Sequence, residues 1–151
     1  MIRKLDIKDL APCIKLFKQS VSTLCKNDYT KEQIRAWINI NQKAWEEKFQ
    51  NQLGFIYEEK GQIVSFISIN SEEKTLDLCF THANYAHQGY GKALLEFALK
   101  NYPYSEIYTF ASLSAKNFFL KAGFKIIKEN IAIRDQQELK NFFMKKKIKQ
   151  F

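Results

Sequence analysis

The chain has 151 residues, of which 46% are hydrophobic and 15% aromatic, and its formal net charge is +8. This length and composition suit one folded domain over residues 1–151 and exclude a disordered chain. No apolar run reaches the ~18 residues of a membrane span, and no apolar segment typical of a signal peptide follows the first residues. We therefore expect a soluble protein of the cytoplasm.

The basic surplus and the cysteines narrow the range of ligands. A surplus of this size attracts polyanions over ~8 Å at physiological salt, so nucleic acid, a membrane surface or a phosphorylated cofactor are all candidates. Because the aromatic residues follow core periodicity and the lysines are scattered, we expect neither nucleic acid nor membrane as a partner. The densest basic run, residues 145–149, is predicted to be a solvated tail. Three cysteines without a CxxC pair favour neither a disulfide framework nor a metal site.

The first half of the chain predicts a strand, two helices and a hairpin. Residues 1–6 alternate apolar and charged side chains, as a short edge strand does. After Asp9, apolar residues recur at spacings of three and four from Leu10 to Leu24, which predicts an amphipathic helix. Thr30 and Gln33 match a capping box at the start of a second helix. Residues 54–58 and 63–69 predict two strands joined by a short turn.

The second half predicts strands that alternate with helices. Residues 76–81 form an alternating strand, which would place Leu76, Leu78 and Phe80 on one face and Asp77, Cys79 and Thr81 on the other. A helix over 93–99 ends before Pro103, and a strand follows at 107–111. Ser112 or Ser114 can cap the next helix, with Gly123 at its left-handed end. With strands at 124–133 and 139–144, we predict an α/β (or α+β) domain of about seven strands and four helices.

Two glycines stand where the loop after the strand at 76–81 passes into the next helix. The first turn of a helix leaves four N–H groups unpaired at the positive end of its dipole. Without the Cβ atoms of Gly89 and Gly91, a phosphate can approach closely. The amides of Gly89, Tyr90, Gly91 and Lys92 can therefore converge on an anion. Taken alone, these glycines fit a plain tight turn equally well.

Other phosphate-binding motifs do not fit this loop. A P-loop requires glycine at position 86 and serine or threonine at position 93, and both positions hold alanine. A dinucleotide fingerprint requires a third glycine at position 94, where the chain has leucine. The anion-binding prediction therefore depends on the residues around the loop.

Those surrounding residues form two motifs in a fixed order. Residues 86–91, Ala-His-Gln-Gly-Tyr-Gly, resemble a Q/R-x-x-G-x-G/A loop, and residues 112–124 resemble an N-x-x-A-x-x-F-Y-x-x-x-G-F segment. Together they resemble the GNAT superfamily of N-acetyltransferases over almost the whole chain. The segment Tyr29-Thr30-x-x-Gln33-x-x-Ala36-Trp37 is similar to a substrate-side helix of its YafP-like branch.

The resemblance implies a mixed, V-splayed sheet that holds coenzyme A between its fourth and fifth strands. The main chain near Phe80 and Thr81 would pair with the pantetheine arm, and an amide near Leu78 or Cys79 would stabilise the thioester oxygen. The expected acetyl-CoA-binding residues are Phe80, Thr81, His87, Gln88, Gly89, Tyr90, Gly91, Lys92, Ser112 and Phe119. The implied reaction is direct acetyl transfer from acetyl-CoA to a primary amine of a small molecule or peptide, within a ternary complex.

Three residues depart from the family pattern. Ala86 replaces glutamine or arginine and removes a side-chain contact, although main-chain amides remain. Ser112 replaces asparagine and offers fewer donors. Phe119 stands where many relatives carry the tyrosine that protonates the leaving thiolate, and phenylalanine has no proton to donate. A coenzyme-binding module with weakened catalysis is therefore the alternative function.

Asp77 and Tyr29 are the catalytic candidates. An amine with a pKa of ~10.4 must lose a proton before it attacks, and Asp77 lies beside the expected thioester. Pairing of Asp77 with a lysine is the alternative. Tyr29 would orient the acceptor or act as the acid, unless it only packs at the start of its helix. Core packing is the expected role of Cys79, and a homodimer is left open.

Overall fold

The computed structural model describes residues 1–149 and contains a seven-stranded sheet with five helices. The strands are β1 Ile2–Lys4, β2 Leu53–Glu59, β3 Gln62–Asn70, β4 Thr75–Thr81, β5 Glu106–Ser112, β6 Lys125–Arg134 and β7 Gln137–Lys147. The helices are α1 Leu10–Leu24, α2 Lys31–Ile38, α3 Gln42–Asn51, α4 Tyr90–Lys100 and α5 Lys116–Lys121. Over this described range, none of the helices is long and apolar enough to cross a membrane.

The sheet is mixed and splits in its middle. Its order is β1-β2-β3-β4-β5-β7-β6, and the pair β4–β5 alone is parallel in the described part of the chain. That pair is in register over only two residues of each strand, Thr75 with Tyr108 and Leu76 with Thr109. Beyond Leu76 the two strands separate. The predicted seven-stranded, V-splayed sheet is therefore confirmed.

Helices cover both faces of the sheet and form two apolar cores. Neighbouring residues of β3 point to opposite sides, so Phe66 packs in the core under α1, α2 and α3, and Ile67 packs in the core under α4 and α5. Phe17 and Trp45 fill the first core, and Leu94 fills the second. This three-layer arrangement is the α/β class expected from the sequence.

Local sequence signals placed most elements correctly. Thr30 and Gln33 form the predicted capping box, with Gln33 N–H donating to Thr30 Oγ1 at 3.1 Å and Thr30 N–H donating to Gln33 Oε1 at 2.8 Å. Gly123 adopts φ +96° after α5, the left-handed conformation predicted for the end of that helix. The predicted serine cap at its start is wrong: Ser112 Oγ accepts the N–H of Ala115 at 3.1 Å, but Ala115 is the N-cap residue of α5 and the helix has no side-chain cap.

Two predictions were wrong at the level of elements. Helix α3 was not predicted, because Trp45 and Phe49 are its two buried residues and the rest of its sequence is polar. The basic run at 145–149 is not a solvated tail, because its first three residues belong to β7. Lys145 Nζ lies 3.1 Å from Glu106 Oε2, and Lys146 Nζ donates to the carbonyl of Ala122. Lys145 is thus paired with a carboxylate of β5, and Lys146 is bonded to a main-chain carbonyl.

Strand β4 contains a bulge that changes which residues share a face. Ile69 opposes Leu76 and Ser68 opposes Leu78, so Asp77 is an extra residue with no partner on β3. As a result Leu76 packs in the α4–α5 core, and Leu78 packs in the α1–α3 core. The expected common face of Leu76, Leu78 and Phe80 is therefore wrong for Leu76.

Candidate active site

The start of α4 presents a set of free main-chain donors. Gly89 precedes the helix with φ +91° and ψ −1°, a left-handed conformation that glycine adopts without strain. Over residues 1–149, the N–H groups of Gly89, Tyr90, Gly91 and Lys92 have no protein acceptor, and the first bond of the helix runs from Ala93 N to Gly89 O at 3.0 Å. Several donors therefore converge at the positive end of the helix dipole.

The second glycine permits close packing. A Cβ atom at Gly91 would lie 3.3 Å from Thr81 Oγ1 and 3.5 Å from Phe118 Cε1, whereas a Cβ at Gly89 would meet no atom within 4 Å. Gly91 therefore lets α4 approach β4 and α5, and the space in front of Gly89 stays open for a ligand.

This helix start opens into a cleft of about 440 Å³ between α1, α4, α5 and the diverging strands. Nine of the ten residues expected to bind the coenzyme line it, namely Phe80, Thr81, His87, Gly89, Tyr90, Gly91, Lys92, Ser112 and Phe119. Gln88 does not line the cleft, and its side-chain amide donates to Asn84 O at 3.2 Å. We call this cavity the cofactor cleft.

Main-chain groups of β4 point into the gap where β4 and β5 diverge. His82 N–H donates to the directly opposite Val64 O at 2.9 Å, and in an antiparallel pair successive residues alternate in direction. Phe80 therefore bonds towards β3, and Cys79 and Thr81 direct their N–H and C=O groups into the gap. Of the two residues whose main chain was expected to pair with the pantetheine arm, Thr81 therefore faces the gap and Phe80 does not. Cys79 faces the gap as well.

Strand β5 presents main-chain groups to the same gap. Tyr108 N–H donates to Lys74 O at 2.8 Å, on the side of β5 that faces β4. By the same alternation, Phe110 and Ser112 face the gap beyond the point where the two strands stop pairing. Among the residues the structure describes, the gap therefore has unpaired donors and acceptors on both walls, and it can accept an extended polar chain.

A second cavity of about 580 Å³ lies on the other side of the gap, and we call it the acceptor cavity. Its walls carry both catalytic candidates, Asp77 and Tyr29, with a group of aromatic residues, Phe17, Trp37, Trp45, Phe80 and Phe110. Trp37, Phe80 and Ser112 line both cavities. The two cavities therefore meet at the gap, and molecules bound in each can touch there.

Two residues hold Asp77 at the β4 bulge, Lys48 of α3 and Gln52, which directly follows that helix. Lys48 Nζ lies 2.5 Å from Asp77 Oδ2, and Gln52 Nε2 donates to the same oxygen at 3.0 Å. Ser68 Oγ in turn donates to Gln52 Oε1 at 2.5 Å. Within residues 1–149, Asp77 Oδ1 has no hydrogen-bond partner. The carboxylate is thus fixed through one oxygen, and the other is available to a ligand in the acceptor cavity.

Tyr29 bridges two distant segments. Its hydroxyl donates to Lys140 O at 2.5 Å and accepts the N–H of Leu113 at 2.9 Å, and the residue is 6% exposed. Burial raises the pKa of this phenol above its ordinary value. With both hydrogen-bonding capacities used inside the protein, these contacts support the packing role among the alternatives drawn from the sequence.

We predict that Tyr29→Phe lowers the free energy of unfolding by about 1–3 kcal/mol, because the Leu113 N–H loses its acceptor in a buried site. Urea unfolding followed by circular dichroism would measure this change. Leu113 and Lys140 line neither cavity, so kcat is expected to fall less than tenfold. A loss of kcat above a hundredfold with unchanged stability would instead assign Tyr29 a chemical role.

The other residues considered from the sequence are less suited to chemistry. Burial raises the pKa of the Cys79 thiol to about 12, so the nucleophilic thiolate is scarce at neutral pH. His82 lines neither cavity, and its Nδ1 accepts the N–H of Asn84 at 3.1 Å. Phe119 is 4% exposed and packs on Phe118 and Phe124 at the wall of the cofactor cleft.

A lysine-rich groove beside the cofactor cleft was not found from the sequence. Lys92 and Lys121 line both the cleft and this adjoining groove of about 750 Å³. Its other basic residues are Lys100, Lys146, Lys147 and Lys149. These lysines come from α4, α5 and the end of β7, so they are scattered in sequence and meet only in the fold. Positive charge therefore continues outward from the free amides of α4.

Comparisons with known proteins agree with this geometry. Residues 25–148 match the family model described as acetyltransferase (GNAT) domain. The chain is 30% identical over 146 residues to the uncharacterized N-acetyltransferase YafP of Escherichia coli strain K12, covering 97% of this chain and 95% of that protein.

Solved structures share the fold. A GCN5-related N-acetyltransferase from Rhodopseudomonas palustris superposes with a TM-score of 0.93 at 24% identity, covering 98% of this chain and 95% of that one. The PaiA N-acetyltransferase of Thermoplasma acidophilum, solved in complex with coenzyme A, has a TM-score of 0.76 at 22% identity, covering 97% and 98%. With the splayed sheet, the free amides at α4 and these matches in view, the chain belongs to the GNAT family of acetyltransferases, in a branch with YafP.

Proposed function

We propose that this protein transfers the acetyl group of acetyl-CoA to a primary amine of a small molecule or peptide by direct attack within a ternary complex. The observation that carries the proposal is that the cofactor cleft and the acceptor cavity meet at the gap between β4 and β5. Trp37, Phe80 and Ser112 belong to both. A thioester in one cavity and an amine in the other would thus be in reach of each other.

The coenzyme is expected to bind mainly through the main chain. The N–H groups at Gly89, Tyr90, Gly91 and Lys92 would hold its diphosphate, and Lys92 would add a positive charge. The outward-facing groups of Thr81 and Cys79 would pair with the amide groups of the pantetheine arm, as an added strand does. Because this binding does not require a side chain at position 86, Ala86 is compatible with it.

The reaction needs an oxyanion donor and a base. Cys79 N–H faces the gap, so it is our choice over Leu78 for the donor to the thioester oxygen, and losing such a donor typically costs ~10²–10³ in rate. Asp77 Oδ1 would take the proton from the acceptor ammonium. The amine then attacks the thioester carbon, and a carbon–nitrogen bond forms as the carbon–sulfur bond breaks. The excess proton on the nitrogen would pass through water to the leaving thiolate, since Phe119 has none to give.

The proposal is tested by following free thiol while the protein turns over acetyl-CoA in the presence of a broad panel of primary amines. We expect release of coenzyme A that depends on the amine and exceeds hydrolysis, with N-acetylated product detected by mass spectrometry. No release above hydrolysis across the panel would contradict the transfer reaction.

A coenzyme-binding module with weakened catalysis is the second candidate, and two residues favour it. Ala86 lacks a side-chain contact to the coenzyme, and Phe119 lacks the acidic hydroxyl. Calorimetry that finds tight acetyl-CoA binding in a protein without turnover would select the module. Robust turnover of the wild-type protein would exclude it.

We predict that Phe119→Tyr raises kcat by about tenfold to a hundredfold, because a hydroxyl at the wall of the cofactor cleft can protonate the leaving thiolate. The acetyl-CoA dissociation constant should stay within about twofold, since the ring keeps its packing. Phe118→Tyr is the matched control, as this neighbouring ring also lines the cleft and should not change kcat. Equal effects of the two substitutions would contradict a specific acid at position 119.

A further inference from the structure

Within residues 1–149, the acceptor cavity carries one positive charge that has no counter-ion. Three charged side chains line the cavity, and two of them, Lys48 and Asp77, pair with each other. The third, Arg134 of β6, takes part in no salt bridge of this range. It makes one hydrogen bond there, from Nη1 to the carbonyl of the preceding residue at 3.0 Å, although a guanidinium has five N–H donors. The adjacent carboxylate of Asp135 accepts instead from Asn39 Nδ2 at 2.7 Å.

A continuous strip of β6 joins this charge to the gap between β4 and β5. Asn130, Ala132 and Arg134 line the acceptor cavity on one face of the strand. Asn130 opposes Asn141 of β7, and Asn141 opposes Ser112 of β5, which lines both cavities. The small side chain of Ala132 leaves room above the strand between the asparagine and the arginine. A molecule that starts at the gap can therefore extend along this strip to Arg134.

The two asparagines of this strip offer the groups that a peptide bond needs. Asn130 Nδ2 donates to Asn141 Oδ1 at 2.9 Å, and both residues are half-buried. In the part of the chain that the structure describes, Asn130 Oδ1 and Asn141 Nδ2 have no further partner. One free acceptor and one free donor therefore lie side by side at the wall of the cavity. A peptide group, with one N–H and one C=O, can pair with both.

Strand geometry sets the length of a molecule that reaches from the gap to the arginine. Asn130 lies two strands from Ser112, and Arg134 lies four residues further along β6. With ~4.8 Å between strands and ~3.3 Å per residue, the Cα atoms of Ser112 and Arg134 are about 16 Å apart in a flat sheet. The arginine side chain covers part of this distance. Since an extended peptide advances ~3.3–3.6 Å per residue, about four residues fill the rest.

We propose that the acceptor is an extended amine that carries a carboxylate at its far end, as a short peptide with a free C terminus does. Its amine lies at Asp77 in the gap, a peptide group pairs with Asn130 and Asn141, and its carboxylate binds the guanidinium of Arg134, which can hold both oxygens. This inference rests on the acetyl transfer proposed above and names the class of acceptor. A polyamine of the same length brings a second positive charge to Arg134 and is repelled.

The first test compares oligoglycines of about two to six residues whose C terminus is either free or amidated. Near four residues, kcat/KM for the free acid should exceed that for the amide about fivefold to tenfold, and the dipeptides should not differ. Arg134→Gln should abolish the preference and keep the rate with the amides within about twofold, whereas Arg134→Glu should reverse it. Arg35→Gln, at an exposed arginine of α2 outside the cavity, is the matched control and should change nothing. Equal rates with free and amidated peptides would overturn this inference and leave acetyl transfer standing.

The second test measures binding without chemistry. Calorimetry of tetraglycine and its amide is carried out with coenzyme A present, which has no acetyl group to transfer. The free acid should bind about fivefold to tenfold more tightly than the amide, and Arg134→Gln or a rise in salt from about 0.05 to 0.5 M should remove the difference. This result would support the acceptor class even if no amine were acetylated, which would contradict the proposed function alone. Failure of both peptides to bind, or a preference that survives Arg134→Gln, would overturn the inference.

Discussion

Replacing Gly89 with valine is expected to raise the acetyl-CoA dissociation constant about a hundredfold, measured by calorimetry. Gly89 has φ +91°, a conformation that costs an L-residue about 1–2 kcal/mol. With valine at this position the backbone would relax towards a negative φ, and the N–H groups at the helix start would rotate away from the coenzyme. Each hydrogen bond to a charged group contributes about 1.5–3 kcal/mol, so the loss of one or two is sufficient for this effect. The new side chain would also occupy the open space in front of the glycine, where no protein atom lies within 4 Å.

The chain provides a matched control for the backbone strain. Gly61, in the turn between β2 and β3, has φ +76° and likewise has no atom within 4 Å of an added Cβ. Gly61→Val should therefore lower the melting temperature by a similar amount and leave acetyl-CoA affinity unchanged. If Gly89→Val bound the coenzyme as tightly as Gly61→Val, the diphosphate would not sit on these amides.

Features encoded by neighbouring residues could be predicted from the sequence. The free amides at the start of α4 are an example, since the glycines at 89 and 91 and the helix that follows them are contiguous, whereas their assignment to a coenzyme came from the resemblance of two motifs to a known family. The capping box at Thr30 is another, because its two hydrogen bonds join residues three apart. Such features depend on local backbone geometry, which is the same in any fold that contains the segment.

Features that depend on the register of distant segments could not be predicted from the sequence. The bulge at Asp77 arises because the register of β3 and β4 slips by one residue between Ser68 and Ile69, and no residue in β4 marks it. The partners of Asp77 come from α3, a helix whose mostly polar sequence gives it a weak apolar stripe. Tyr29 is similar, because its hydroxyl joins Leu113 and Lys140, which are 84 and 111 residues away.

Asp77→Asn is expected to lower kcat about a hundredfold to a thousandfold at neutral pH, as removal of a general base does. The amide fills the same volume but cannot accept a proton from the acceptor ammonium. Acetyl-CoA affinity should not change, because Asp77 lines the acceptor cavity and not the cofactor cleft. Steady-state thiol release gives kcat, and calorimetry gives the dissociation constant.

Loss of the ion pair between Asp77 and Lys48 would also explain a lower kcat, so a substitution of Lys48 supplies the control. Lys48→Met removes the pair at Asp77 Oδ2 and leaves the carboxylate, which Gln52 still holds at 3.0 Å. If Asp77 is the base, Lys48→Met should keep kcat within about tenfold of wild type, since the proton acceptor remains. If both substitutions lower kcat equally, the carboxylate acts by fixing the bulge and the α3 end. In that case the proton leaves the amine through water in the acceptor cavity, and Asp77 is a positioning residue for the β4 strand.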